Sequence, residues 1–295
     1  MRLIESKVEY LPQPYDLWGV FMQVEKAGRT AYKSERKITS DSARAFVEKL
    51  IKAEHYAALE HGTIYLSIPR KDKCKNIIRN KYSALSIQPK TYELTTNYRV
   101  IIENHFQKFL THMCEPSHAH ERRYTFRFTC SRGIAQQLTR HRAFSFLMES
   151  QRYVNYAKRE IEFIIPHWCR LNPGPYEYKD GKIVGDGYLK DVGSKEPEDV
   201  FLGYMGNCES TYNMLIEDHR LKPEQARDIL PMATKTELVM TGYAKDWQYL
   251  LDLRLFGSTG KPHPDMVILM QKLRDTMESV GIWKDVMKGY IFKGF

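Results

Sequence analysis

Apolar residues at Ala43, Phe46, Val47, Leu50 and Ile51 recur at helical spacing behind Ser40-Asp41-Ser42, a run suited to capping, and predict an amphipathic helix that ends near His55. Gly62 to Pro69 reads as a strand, and Thr91 to Glu103 carries both helix and strand signals. Strict alternation returns at Arg123 to Thr129, where Tyr124, Phe126 and Phe128 share one face of a predicted strand. Ser131 then caps a helix through Gly133 to Arg140, and Ile161 to Ile165 is a short strand stopped by Pro166. Further on, Glu196 to Arg220 reads as a long helix and Pro223 to Leu230 as a short one with proline at an early position. Ala233 to Met240 reads as a strand, followed by helices over Ala244 to Leu255 and Asp265 to Val280. Helices and separated strands in irregular order predict an α+β fold, a mixed sheet flanked by helices, over a doubly wound one.

Composition changes this picture little. No linker divides the 295 residues, so a single domain over 1–295 is expected; the Gly, Pro, Lys and Asp-rich stretch Asn172 to Asp199 suits a surface hairpin better than a tether. The charge, 45 Lys and Arg against 36 Asp and Glu, is +9, but the cations are spread along the chain, which disfavours a nucleic-acid-binding protein. Neither a signal-peptide core nor an apolar run of ~20 residues is present, so no membrane association is expected and the location is read as cytoplasmic. Cys74, Cys114, Cys130, Cys169 and Cys208 are odd in number and without a Cys-x-x-Cys pair, which points to reduced thiols.

The candidate chemistry concentrates in Arg140-His141-Arg142-Ala-Phe144-Ser145-Phe146-Leu147-Met148-Glu149-Ser150-Gln-Arg152-Tyr153. On so basic a chain such a stripe is ordinarily a solvated face. Here it is interleaved with large apolar residues, so part of it should be buried, and guanidinium groups at that density suit an anionic, ring-bearing ligand such as a nucleotide. Phosphate loops do not compete: Gly185-Asp-Gly187 lacks a third glycine, and Gly257 to Pro262 is too short and ends in proline. His112, Cys114, His118 and His120 are close in sequence but match no common zinc spacing, so no metal is expected. His55 with Glu60-His61 reads equally well as a capping cluster, and Arg227 and Arg254 as snorkelling surface arginines.

Taken together, these residues resemble the flavin-dependent thymidylate synthases. That family's signature, Arg-His-Arg, seven residues, Ser, then Arg-Tyr, stands here as Arg140-His141-Arg142, Ser150 and Arg152-Tyr153. Support comes from His55 and Glu60-His61, from Thr125-Phe126 and Gln137, from Ala226-Arg227-x-Ile-Leu-Pro231, and from Leu251-x-Leu-Arg254, so the likeness spans roughly 45–255. The resemblance implies FAD held by Arg140, His141 and Arg142, with Glu149, Tyr243 and Lys245 in supporting contacts. It implies dUMP held by Gln137, Arg140, Glu149, Ser150, Arg152, Arg227 and Arg254. Catalytic roles would fall to Arg254, against an N3-ionised uracil, to Ser150 and to His55. The implied reaction turns dUMP into dTMP with methylenetetrahydrofolate as carbon donor and NADPH as reductant, without a cysteine nucleophile, in a homotetramer with active sites at subunit interfaces.

The chain departs from the family where Leu147-Met148 replace a common Asn-Glu pair, where Ala57 replaces a small hydroxyl residue, and where Tyr243-Ala-Lys245 replaces Asn-x-Arg. Stretches at about 63–123 and 172–199 read as insertions. The rival readings are an RNA-binding protein stacking bases on the motif's aromatics and a flavoprotein acting on another pyrimidine nucleotide.

Overall fold

The computed structural model describes residues 1–72, 80, 82–179, 182–185, 188–191 and 196–291. At its centre four antiparallel strands run in the order Lys7–Tyr10, Arg123–Ser131, Lys235–Tyr243, Ser145–Met148. The two long strands pair along their whole length, from Arg123 opposite Tyr243 to Ser131 opposite Lys235. Because successive side chains alternate between faces, Leu238 and Met240 join Phe126 and Phe128 beneath the helices Arg132–Leu138, Ala244–Arg254 and Pro264–Ser279. Trp247 is fully buried there, edge-on to Phe126 and Phe144. On the opposite face, Val239 and Leu147 meet Ala27 of helix Leu17–Tyr32. The sheet therefore separates two sets of helices.

A second core fills the space between helices Leu17–Tyr32 and Ser42–Lys52 and the antiparallel strands Thr63–Pro69, Thr91–Asn97 and Ala84–Ile87. A third packs helix Pro197–Glu217 on a small sheet in which Arg2–Ile4 pairs parallel with Glu162–Ile164 and antiparallel with Gly174–Pro175. The architecture is α+β, with parallel pairing confined to that small sheet among the described residues.

Local expectations hold where side chains dictate them. Ser131 accepts a hydrogen bond from the Ile134 N–H at 3.3 Å and starts its helix. The mixed signals of Thr91 to Glu103 resolve into strand Thr91–Asn97 and helix Tyr98–Glu103, with Asn97 capping Val100 N–H at 3.0 Å. The 172–199 stretch forms antiparallel strands Glu177–Lys179, Lys182–Gly185 and Tyr188–Asp191, as a hairpin reading requires; 180, 181, 186, 187 and 192–195 lie outside the described residues, as does Cys74. Cys114, Cys130, Cys169 and Cys208 are free thiols. Among the described residues no helix is long and apolar enough to cross a membrane.

Two elements go beyond the sequence reading. Helix Leu17–Tyr32 starts where Asp16 accepts from the Gly19 N–H at 2.6 Å, and Gly19 is required there because a Cβ would meet the Pro14 carbonyl oxygen at 2.2 Å. Strand Ser145–Met148 lies inside the basic run and forms the edge of the central sheet.

Candidate active site

Helix Arg132–Leu138 ends in a turn whose N–H groups at Arg140 and His141 bond to the carbonyls of Gln137 and Leu138. Part of the basic stripe is buried, as its apolar interleaving predicts. Phe144 and His141 go inside, whereas Arg140 and Arg142 stay exposed, and among the described residues their guanidinium groups have no ion-pair or hydrogen-bond partner. A guanidinium without an anion costs too much to bury, so the apolar members of the stripe enter the core and its arginines remain in water.

Arg254, in the last turn of helix Ala244–Arg254, donates from Nε to His141 Nε2 at 3.0 Å. That bond makes Nε2 the acceptor and puts the imidazole proton on Nδ1. Burial first, and the Arg254 cation second, lower the pKa of His141 to about 4, so the ring is neutral. Tyr249, exposed on the same helix, lies edge-on 6.5 Å from it. The guanidinium of Arg254 is thereby aimed by a neutral ring, with its Nη groups unpaired among the described residues.

A cleft of about 460 Å³ opens on the other face of the sheet, lined by Gly28, Ala31 and Tyr32, by His55 and Ala57, and by Leu147, Ser150 and Tyr153. His55 and Ser150, both expected to be catalytic, thus share one cavity. Ser150 N–H donates to the Ala31 carbonyl at 2.9 Å, and Tyr32 lies 5.7 Å from Tyr153. The small residues Gly28 and Ala31 that keep this wall low went unread because their helix was not assigned; the Val20, Val24, Ala27, Ala31 spacing behind Asp16 was the available signal. Arg99 also reaches the cleft, held by Glu60 at 2.6 Å and Glu103 at 2.9 Å. Arg152 is exposed beside Tyr153 and 3.6 Å from Glu224, within one turn of Arg227.

Three expected contacts are placed elsewhere. Glu149 is 4 % exposed, with Oε2 3.1 Å from Lys235 Nζ and Oε1 accepting from the Tyr156 hydroxyl at 3.1 Å, so its carboxylate faces the interior. The single proton of the Tyr243 hydroxyl is shared between the carbonyls of Tyr82 at 2.9 Å and Thr95 at 3.1 Å, and Arg123 and Lys245 lie over its ring; it ties two sheets together and offers no face for stacking on a ligand. Lys245 is exposed and paired with Glu121 at 2.8 Å in a separate open cleft of about 580 Å³ lined by Arg122, His118 and Lys288 but by neither Ser150 nor Arg254. His61 also turns inward: Nδ1 bonds to Thr241 Oγ1 at 2.8 Å, and burial, then Arg123, lower its pKa to about 3.

The Cys and His residues near 112–120 divide. His112 lies 3.4 Å from Asp72 and His118 lines the Lys245 cleft, while Cys114 and His120 converge with Glu93, their donor atoms within 4.8 Å. His120 Nδ1 accepts from Ser117 N–H at 3.1 Å, which leaves the proton on Nε2, and that nitrogen faces the Leu66 carbonyl at 3.2 Å and Glu93 at 3.3 Å. Burial lowers the His120 pKa and raises that of Cys114. A metal would need the Nε2 lone pair and an acceptor opposite Nδ1; this packing supplies a proton at the first position and a donor at the second.

Residues 71–280, more than two thirds of the chain, match the family described as Thy1, thymidylate synthase complementing protein, and the chain belongs to that family. Among curated relatives, it is 32% identical over 145 residues to a probable flavin-dependent thymidylate synthase of Paramecium bursaria Chlorella virus 1, covering 48% of this chain and 61% of the relative. It is also 32% identical over 127 residues to the flavin-dependent thymidylate synthase of Thermococcus onnurineus, covering 42% of each. The chain thus spans about half the length of these relatives. A solved structure, the UMP/dUMP methylase PolB from Streptomyces cacaoi bound with 5-Br dUMP, aligns over 98% of both chains with a TM-score of 0.45 and 17% identity.

Proposed function

We propose that this chain is a flavin-dependent thymidylate synthase. It would convert dUMP to dTMP with FAD as bound cofactor and 5,10-methylenetetrahydrofolate and NADPH as co-substrates, working as a cytoplasmic homotetramer of single domains spanning 1–295. The observation that carries the reading is the Arg254 Nε to His141 Nε2 bond, which joins the motif to the arginine proposed to meet the pyrimidine; Arg140 and Arg142 of the same motif have no anionic partner among the described residues.

Arg140, His141 and Arg142 fit an anionic, ring-bearing cofactor: two exposed cations flank a neutral buried imidazole. Glu149 and Tyr243 are engaged elsewhere, and Lys245 could join only by leaving Glu121. When bound, the flavin supplies the hydride chemistry. Arg254, charged at any working pH, cannot act as a base; it stabilises an N3-ionised uracil and so enriches C5 in electrons. Gln137, Ser150, Arg152 and Arg227 would hold the nucleotide, with His55 beside Ser150. Burial keeps the four described thiols protonated, pushing Cys130 up to about 12 and raising Cys114, Cys169 and Cys208.

The Arg254 corner and the Ser150 cleft lie on opposite faces of the central sheet, so a single ligand would be reached by the two sets from two copies of the chain. The test is to incubate the purified protein with FAD, desalt it, and record its absorption spectrum before and after dUMP, then assay product with dUMP and UMP in parallel. Retained flavin bands that shift with dUMP, and dTMP formed once folate and NADPH are added, are expected. Loss of flavin on desalting together with no methylated nucleotide would overturn the reading.

A further inference from the structure

We infer that Glu149, with Lys235 and Tyr156, is the positioning device for the nucleotide-binding turn; this rests on the reading of Ser150 and Arg152 as dUMP contacts. Among the described residues, strand Ser145–Met148 is paired on one side only, and the last bond of its ladder runs from Glu149 N–H to the Glu237 carbonyl at 2.8 Å. Beyond it the chain turns on the Ser150 carbonyl, which accepts from Tyr153 at 3.3 Å and Val154 at 3.2 Å. A turn at the end of an edge strand is the kind of segment that frays first.

The Glu149 carboxylate prevents this by holding both ends of the turn. Oε2 is anchored by Lys235 on the neighbouring strand, and Oε1 by the hydroxyl of Tyr156, so residues 149 and 156 are tied to each other across the loop that carries Ser150, Arg152 and Tyr153. Side chains along the turn alternate accordingly: Glu149 and Gln151 are buried, while Ser150 lines the cleft and Arg152 is exposed. An apolar residue of similar size would fill the same space without desolvating a charge, so the ion pair is explained by the direction it imposes on the backbone.

The charge can be removed without stranding its partner, because Lys235 also meets Glu237 at 3.2 Å and Glu162 at 3.3 Å. Three full-length variants, Glu149→Gln, Tyr156→Phe and the apolar pair Glu149→Leu/Lys235→Met, are to be compared with wild type by hydrogen exchange of the 150–155 amides, by calorimetric dUMP binding, and by separate kcat and KM for dUMP. Faster exchange confined to 150–155 is expected, with dUMP affinity and KM weakened about tenfold, the scale of one charge-assisted hydrogen bond, and kcat at saturating dUMP nearly unchanged. If the double variant fails to fold, Tyr156→Phe, which leaves the ion pair in place, decides. Unchanged exchange in 150–155, or faster exchange with dUMP affinity and KM unaltered, overturns the inference. Wild-type protein that binds no dUMP while the variants show the faster exchange overturns the nucleotide reading and leaves the clamp standing.

Discussion

Two charged clusters bracket the edge strand Ser145–Met148 and are built on opposite principles. Before it, Arg254 rests on a neutral histidine, and Arg140 and Arg142 have no protein anion among the described residues. After it, Lys235 has three carboxylates within 3.3 Å, and Glu237 is shared further with Lys33 at 2.6 Å. The saturated cluster holds the chain in place; the unsaturated one keeps its cations available to a ligand. Charge density alone does not distinguish structure from function, whereas the count of satisfied partners does.

Lys235→Met leaves Glu149 buried without its cation and should cost about 3–5 kcal/mol in denaturant unfolding, much of it regained when Glu149→Leu is added. A loss no larger than that of a surface substitution would mean that the cluster is not structural. Arg254→Ala should do the reverse: kcat/KM for dTMP formation falls about 10²–10³-fold, while stability changes by about 0.5 kcal/mol or less and FAD stays bound. Full turnover by that variant removes its assigned role.

His141 sharpens the contrast through pH. Its folded pKa, about 4, lies below the usual 6.5, so above pH 6.5 the imidazole is neutral in both states and adds nothing to the pH dependence. As pH falls from 6.5 toward 4 the unfolded ring binds a proton that the folded ring refuses, and stability declines by about 3 kcal/mol. His141→Gln should flatten that slope between pH 7 and pH 4; an unaltered slope would show that His141 is not the buried neutral ring described. Ser150→Ala is smaller, raising KM for dUMP about tenfold with flavin retention unchanged. The smallest effect is Lys245→Ala, whose exposed pair with Glu121 contributes under about 1 kcal/mol; its flavin retention decides whether Lys245 touches the cofactor.

Much of the fold was legible because it is encoded locally. Alternation placed strand Arg123–Ser131, the Ser131 cap placed its helix, and proline near the start marked Pro223–Ala226. Helix Leu17–Tyr32 was equally readable from its period and from Asp16, and with it the wall of the Ser150 cleft. Strand Ser145–Met148 was not, since a short apolar run between charges takes its conformation from pairing with Lys235–Tyr243. Motif spacing singled out Arg140, His141, Ser150 and Arg254 as candidates, but it could not say that Glu149 turns inward, because its partner Lys235 is contributed by a distant strand. Tyr243 misled for the same reason: its hydroxyl is claimed by Thr95 across a second sheet.

A mixing experiment tests whether the Arg254 corner of one copy and the Ser150 cleft of another would serve one ligand. Ser150→Trp, which would fill the cleft beside His55, and Arg254→Ala are each expected to be inactive; they are unfolded together, refolded as a mixture and assayed for dTMP. Random assembly should restore about a quarter of wild-type activity, because one site in the mixed oligomer can draw an intact half from each variant. A mixture as inactive as its components would contradict the account and place both sets of residues at a site within one chain.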